Sequence, residues 1–84
     1  MIKIWGKIVT RERVVRTSYT EVDESKTSFF SMLKDVSQSL GIQTPILLDK
    51  HVHDFNLFHI TIFKPDDFID TVNFDQFIIE LARE

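Results

Sequence analysis

The chain has 84 residues, a formal net charge of −3, 43% hydrophobic and 27% charged residues, and no cysteine. That balance is globular rather than disordered, fits one small domain over residues 1–84, and excludes a multi-domain active site. Disulfides and thiolate metal sites are excluded with it, so stability must come from packing or from a partner chain.

The charge is unevenly laid out. Residues 1–16 carry five basic side chains against Glu12 alone, whereas residues 17–84 carry five against twelve acids. A protein that wraps a polyanion needs a broad basic excess, which this chain lacks. The first ten residues are interrupted by Lys3, Gly6 and Lys7 and have no continuous apolar stretch of the secretory kind. No run approaches the length of a membrane span, and the expectation is a cytoplasmic protein.

In chain order, Ile2, Ile4, Gly6 and Ile8 alternate with Lys3, Trp5, Lys7 and Val9, the period of a strand with one face buried. Arg11 and Glu12 make a short connection to a second extended run, Val14 to Val22. There Val15, Thr17 and Tyr19 are expected on one face and Val14, Arg16 and Ser18 on the other. A connection this short permits only an antiparallel hairpin, although the Asn-Gly or Gly-X turn signal is missing.

Glu21, Asp23 and Glu24 put negative charge before a helix start, with Ser25 or Thr27 as expected caps. The principal helix is expected over about residues 27–40. Phe29, Met32, Leu33, Val36 and Leu40 recur at helical spacing, and Gly41 is a left-handed stop. Ile46-Leu47-Leu48 reads as a short strand after Pro45, and Asp49 as the cap of a brief helix over residues 50–58 with Val52, Phe55 and Phe58 facing inward. His59 to Phe63 is a strand by composition. Lys64-Pro65-Asp66-Asp67 is a helical turn with Pro at its first position. The segment Phe74 to Ala82 fits either a strand or a helix. Phe77-Ile78-Ile79 favours the strand, and pairing it with the first strand would bring Glu80 to the Lys3 and Lys7 face. The fold class is therefore α+β: a mainly antiparallel sheet with one principal helix and short helical segments covering one face.

Three stretches resemble a family of short uncharacterised proteins from Firmicutes. They are Ile4-Trp5-Gly6-Lys7-Ile8, Pro45-Ile46-Leu47-Leu48-Asp49-Lys50, and Asp67-Phe68-Ile69 followed by Val72-Asn73-Phe74-Asp75. The resemblance runs nearly end to end. It implies kinship only, since that family brings no established activity, cofactor or site residue.

Several constellations carry possible chemistry. His51, His53 and His59, flanked by Asp49 and Asp54, offer nitrogen and oxygen ligands of the kind zinc takes. Two residues apart on a helix, however, side chains diverge by about 200°, so His51 and His53 share a metal only in an extended segment. Ser25, Thr27 or Ser28 with His53 would be needed for hydrolysis, but no nucleophile elbow or glycine-lined oxyanion site accompanies them. Asp66-Asp67-x-x-Asp70 has the spacing of a magnesium-diphosphate motif in a chain too small for a prenyl-binding bundle. Its acids are better suited to a helix start. Lys3, Trp5 and Lys7 share one strand face with Arg11, Arg13 and Arg16 nearby, which can be read as a single-strand nucleic-acid platform or as a face paired laterally with acids such as Glu80.

The leading expectation is a small non-enzymatic domain, with no cofactor, that works through protein contact, including self-association as a homodimer. Its candidate interaction surface is Lys3, Trp5, Lys7, Arg11, Arg13, Arg16, His51 and His53. The alternatives are a metal-binding or single-stranded nucleic-acid binding module and, third, a small enzyme built on the histidine segment.

Overall fold

In a computed structural model, which describes residues 2–23 and 25–82, the chain forms an α+β domain. Its elements in order are β1 (Ile2–Thr10), β2 (Arg13–Val22), α1 (Phe29–Ser39), α2 (Asp49–Phe58), β3 (Ile60–Phe63), a single 3₁₀ turn at Pro65–Asp67, and β4 (Gln76–Ala82). The four strands make one sheet in the order β2-β1-β4-β3, with every neighbouring pair antiparallel. The C-terminal segment is a strand, and an inner one: Lys3 to Val9 of β1 pair with Ala82 to Gln76 of β4.

Alternation along the strands sorts the faces. Ile4, Gly6 and Ile8 of β1, Phe77 and Ile79 of β4, and Phe63 of β3 point to one side. They are buried there with Met32, Leu33, Val36 and Leu40 of α1. Phe63 stacks on Phe77 with centroids 5.7 Å apart, and Phe29 of α1 meets Phe55 of α2 edge-on at 5.2 Å, so the two helices close over the same layer. Gly6 lets α1 approach. A Cβ built there would lie 2.5 Å from Val36 Cγ1 and 3.1 Å from Leu40 Cδ1.

The hairpin turn is tight despite its sequence. Arg11 and Glu12 sit at φ 52° and 65°, the left-handed values a type I′ turn demands and non-glycine residues resist. Asp75 supports the turn: its Oδ2 accepts the Arg11 N–H at 2.8 Å, and its own N–H reaches the Val9 carbonyl at 2.9 Å. The ladder then slips by one residue. Val9 faces Val14 while Ile8 faces Arg16, which leaves Val15 as the extra residue of a bulge. The slip corrects one expected placement in β2: Val14 joins the side of Thr17 and Tyr19, while Arg16 and Ser18 share a face as expected, the helix side, with Thr20.

α1 starts later than its acids suggest. Ser28, not Ser25 or Thr27, is the cap, its Oγ accepting the Ser31 N–H at 3.1 Å. Asp23 instead closes the preceding turn, accepting from the Ser25 N–H and hydroxyl. Those bonds hold its carboxyl below the usual carboxylate range. At the other end Gly41 (φ 69°) sends its N–H to Gln38 O and Ile42 sends its own to Ser37 O, each at 3.0 Å, a Schellman stop.

Residues 46–48 are not a strand. Pro45 has no N–H to offer a ladder, the Ile46 N–H goes to the Asp67 carbonyl at 2.7 Å, and the Leu48 N–H goes to the His51 ring at 3.0 Å. Gln43 and Asp70 clasp the same segment further back through two side-chain to backbone bonds. Asp49 is the first residue of α2 rather than its cap. The inward face of α2 is also different from the expected one. His51 is buried and Val52 and Phe55 are half-buried, but Phe58, in the last position before the left-handed His59 (φ 60°), is 67% exposed.

Candidate functional site

With both helices on one side of the sheet, the opposite side is left open. The register places there Lys3, Trp5 and Lys7 of β1, Thr17, Tyr19 and Glu21 of β2, Ile78 and Glu80 of β4, and Ile60 and Ile62 of β3. Its centre is ordered by cross-strand pairs. Trp5 lies opposite Tyr19 on one side and Glu80 on the other. The Trp5 and Tyr19 rings stack with centroids 5.3 Å apart and planes 13° from parallel. Lys7 Nζ sits 3.5 Å from the Trp5 ring centroid and 2.8 Å from Glu80 Oε1, so the ammonium is held by the indole face and a carboxylate together. Trp5 is half-buried and Tyr19 is 62% exposed. Among the described residues the buried Trp5 indole N–H has no hydrogen-bond partner, an unusual state for a polar group. A groove of about 650 Å³ runs beside the pair, walled by Lys3, Glu21, Glu80 and Ala82.

The expected basic surface divides. Lys3, Trp5 and Lys7 belong to the open face. Arg11 lies in the turn and Arg13 at the start of β2, both exposed. Arg16 is turned to the helix side, its guanidinium against Gly41 at the end of α1. The bulge at Val15 puts Arg16 on the helix side, because one extra residue changes which side of the sheet follows. Tyr19 and Glu80, absent from that list, complete the site. Tyr19 reaches Trp5 through the same slip: without it, the ladder set by Thr10 and Arg13 would bring Ser18 opposite Trp5.

The histidines do not act as a group. Among the described residues no cluster of three or more His, Cys, Asp or Glu side chains is placed to hold a metal ion. His53 is exposed, and His59 ends α2 in the left-handed conformation. His51 is 1% exposed, which removes it from any interaction surface. Its Nδ1 accepts the Leu48 N–H at 3.0 Å, and its ring stacks on Phe63 at 4.1 Å between centroids. Its Nε2 faces Asp67 Oδ2 across 3.5 Å, too long to count as a hydrogen bond. Asp67 Oδ2 in turn accepts the Lys64 N–H at 2.9 Å. Burial pushes the imidazole pKa down, and the nearby Asp67 charge opposes that only partly. His51 is therefore a neutral residue that caps α2 beside the 3₁₀ turn.

The remaining constellations are occupied by structure. Of the three candidate hydroxyls, Ser25 donates to Asp23 and Ser28 caps α1, so these two have local partners. Asp67 of the acidic motif is engaged by the Lys64 amide. No helix among the described residues is long and apolar enough to cross a membrane. No protein-family profile matches the chain, and neither a curated protein nor a solved structure matches it.

Proposed function

We propose that this is a non-enzymatic protein-contact domain whose working surface is the open face of its sheet. The observation that carries the reading is the Trp5–Tyr19 stack, set on rigid strands and left uncovered while the opposite side carries both helices. Rigid aromatic anchors ringed by polar groups are what protein interfaces concentrate at their centres. Lys7 and Glu80 supply that ring, and Ile60, Ile62 and Ile78 extend the apolar area toward β3.

A single-stranded nucleic acid is the second reading, favoured by the same stacked rings. Charge argues against it. Lys7 is paired with Glu80, Glu21 borders the groove, and the net charge of −3 repels phosphate. The two are separated by placing a photo-crosslinking phenylalanine analogue at Tyr19, and separately at Lys34 on the exposed side of α1, in living cells. Protein adducts at position 19 and few at 34 are the expected outcome. Nucleic-acid adducts at 19 would transfer the face to the second reading. Equal labelling at both positions would remove the sheet face as the working surface.

A further inference from the structure

The two edges of the sheet are unequal. β3 offers four residues and lies beside α2, with Lys50, Asp54 and Phe58 walling the gap between them. β2 offers ten, most of them exposed, and contains neither proline nor lysine, two devices that commonly keep an edge unpaired. The direction of its backbone groups follows from the ladder. The Leu81 N–H reaches His59 O at 2.8 Å, which orients Leu81, Ile79 and Phe77 toward β3, and hence Glu80, Ile78 and Gln76 toward β1. By the same alternation Ile4, Gly6 and Ile8 bond to Thr20, Ser18 and Arg16, and the N–H and C=O groups of Thr17, Tyr19 and Glu21 point away from the sheet.

We propose that this edge pairs with the β2 strand of a second copy of the chain, antiparallel about a two-fold axis at Tyr19, to make a continuous eight-stranded sheet. The proposal rests on the protein-contact reading and names its partner. Strand charge favours an antiparallel copy over a parallel one. Arg13 and Arg16 lie at one end of β2 on the helix side, with Glu21 at the other end on the open side, so an antiparallel copy brings opposite charge to each end of the seam on its two sides, whereas a parallel copy opposes like charges on the same side. The bulge at Val15 limits the regular stretch to residues 16–22, whose midpoint is Tyr19. Centring there joins Thr17 to Glu21 and Tyr19 to its own copy through about six backbone hydrogen bonds. It also aligns the four rings of two Trp5–Tyr19 stacks in one row across the open face. The 62% exposure of Tyr19 in the isolated chain is then the surface that the copy covers.

Sedimentation equilibrium over a concentration series should show a dimer for the wild type. Tyr19→Lys, which places two ammonium groups on the axis, should give a folded monomer. So should Thr17→Pro, which removes a donor from the outer edge and leaves the bonds to β1 in place. If Thr17→Pro fails to fold, Tyr19→Lys, a surface change, carries the same test. The absence of native cysteine permits a positional check. Under mild oxidation Tyr19→Cys should cross-link within minutes, because directly opposed residues of a hydrogen-bonded pair are about 5.5 Å apart between Cα atoms, inside the disulfide range. Lys34→Cys should not. A wild type that stays monomeric, a Tyr19→Cys chain that cross-links no faster than Lys34→Cys, or a dimer that survives Tyr19→Lys would overturn the pairing. Adducts at Tyr19 to other proteins from a monomeric chain would overturn it too, while leaving the protein-contact reading intact.

Discussion

Gly6→Ala tests the closeness of α1 to the sheet. The added methyl would lie 2.5 Å from Val36 Cγ1 and 3.1 Å from Leu40 Cδ1. Carbon atoms pack at about 3.5–4.0 Å, so one or both side chains must retreat by about 1 Å. Val36 is fully buried and β-branched, and its χ1 is stiff in a helix, so it cannot swing aside and the helix itself must back away. Overpacking of this kind costs about 1–3 kcal/mol. Removing a strand glycine returns about 0.5–1 kcal/mol of backbone entropy, which leaves a net loss of about 1 kcal/mol at the middle of the two ranges. For a domain of this size that is about 4–8 °C of melting temperature per kcal/mol, and a urea midpoint lower by about 0.3–1 M. Urea and thermal melts of Gly6→Ala, Val36→Ala and the double variant read it out. In the double variant the two losses should sum to less than their parts by at least about 0.5 kcal/mol, because the smaller Val36 side chain makes room for the new methyl. An unchanged or higher stability for Gly6→Ala, or strict additivity, would refute the close approach.

Four other outcomes are expected. Leu33→Ala, at a fully buried position of α1, should lose about 2–5 kcal/mol in urea melts, and a loss below about 0.5 kcal/mol would remove α1 from the core. Replacing Arg11-Glu12 by Asn-Gly should raise stability by about 1 kcal/mol, since it relieves two left-handed non-glycine residues and keeps the Arg11 amide bond to Asp75; a lower melting temperature would contradict the turn. His51 is held neutral in the folded state while the unfolded chain protonates near pH 6.5, so its contribution is complete above that value and is lost as pH falls toward the depressed folded pKa, where protonated Nδ1 no longer accepts the Leu48 amide. NMR of the His51 ring should give a midpoint below 6.5 in the native protein, and a midpoint above it would reverse the sign. Deleting residues 75–84 removes an inner strand and the Asp75 support, so circular dichroism should show loss of cooperative unfolding rather than a trimmed but folded domain.

Much of this architecture is legible along the chain, because it depends on local periodicity. The alternation of Ile2 to Val9, the helical spacing of Leu33, Val36 and Leu40, the stop at Gly41, the 3₁₀ turn begun by Pro65 and the extended preference of Phe77-Ile78-Ile79 all sit where short-range sterics and burial put them. What failed is what depends on partners distant in sequence. Ile46 to Leu48 have the composition of a strand, but the Ile46 N–H is taken by the Asp67 carbonyl, 21 residues on, which local propensity cannot register, and the Leu48 N–H by the His51 ring as the start of α2. The candidate surface divided for a similar reason. Trp5, Lys3 and Lys7 share a face by simple alternation, yet the Tyr19 that stacks on Trp5 and the Arg16 that leaves the face are both decided by one extra residue at Val15. A bulge leaves no mark on composition, and a one-residue slip moves side chains between the two sides of a sheet. His51 shows the same limit. Three histidines in nine positions suggest a site, but packing on Phe63 and the capping of α2 draw one of them inside and leave His53 in solvent. Local periodicity determines most of the segments that extend or coil, tertiary hydrogen bonds decide residues 46–48, and the long-range ladder, through its register, decides which side chains meet.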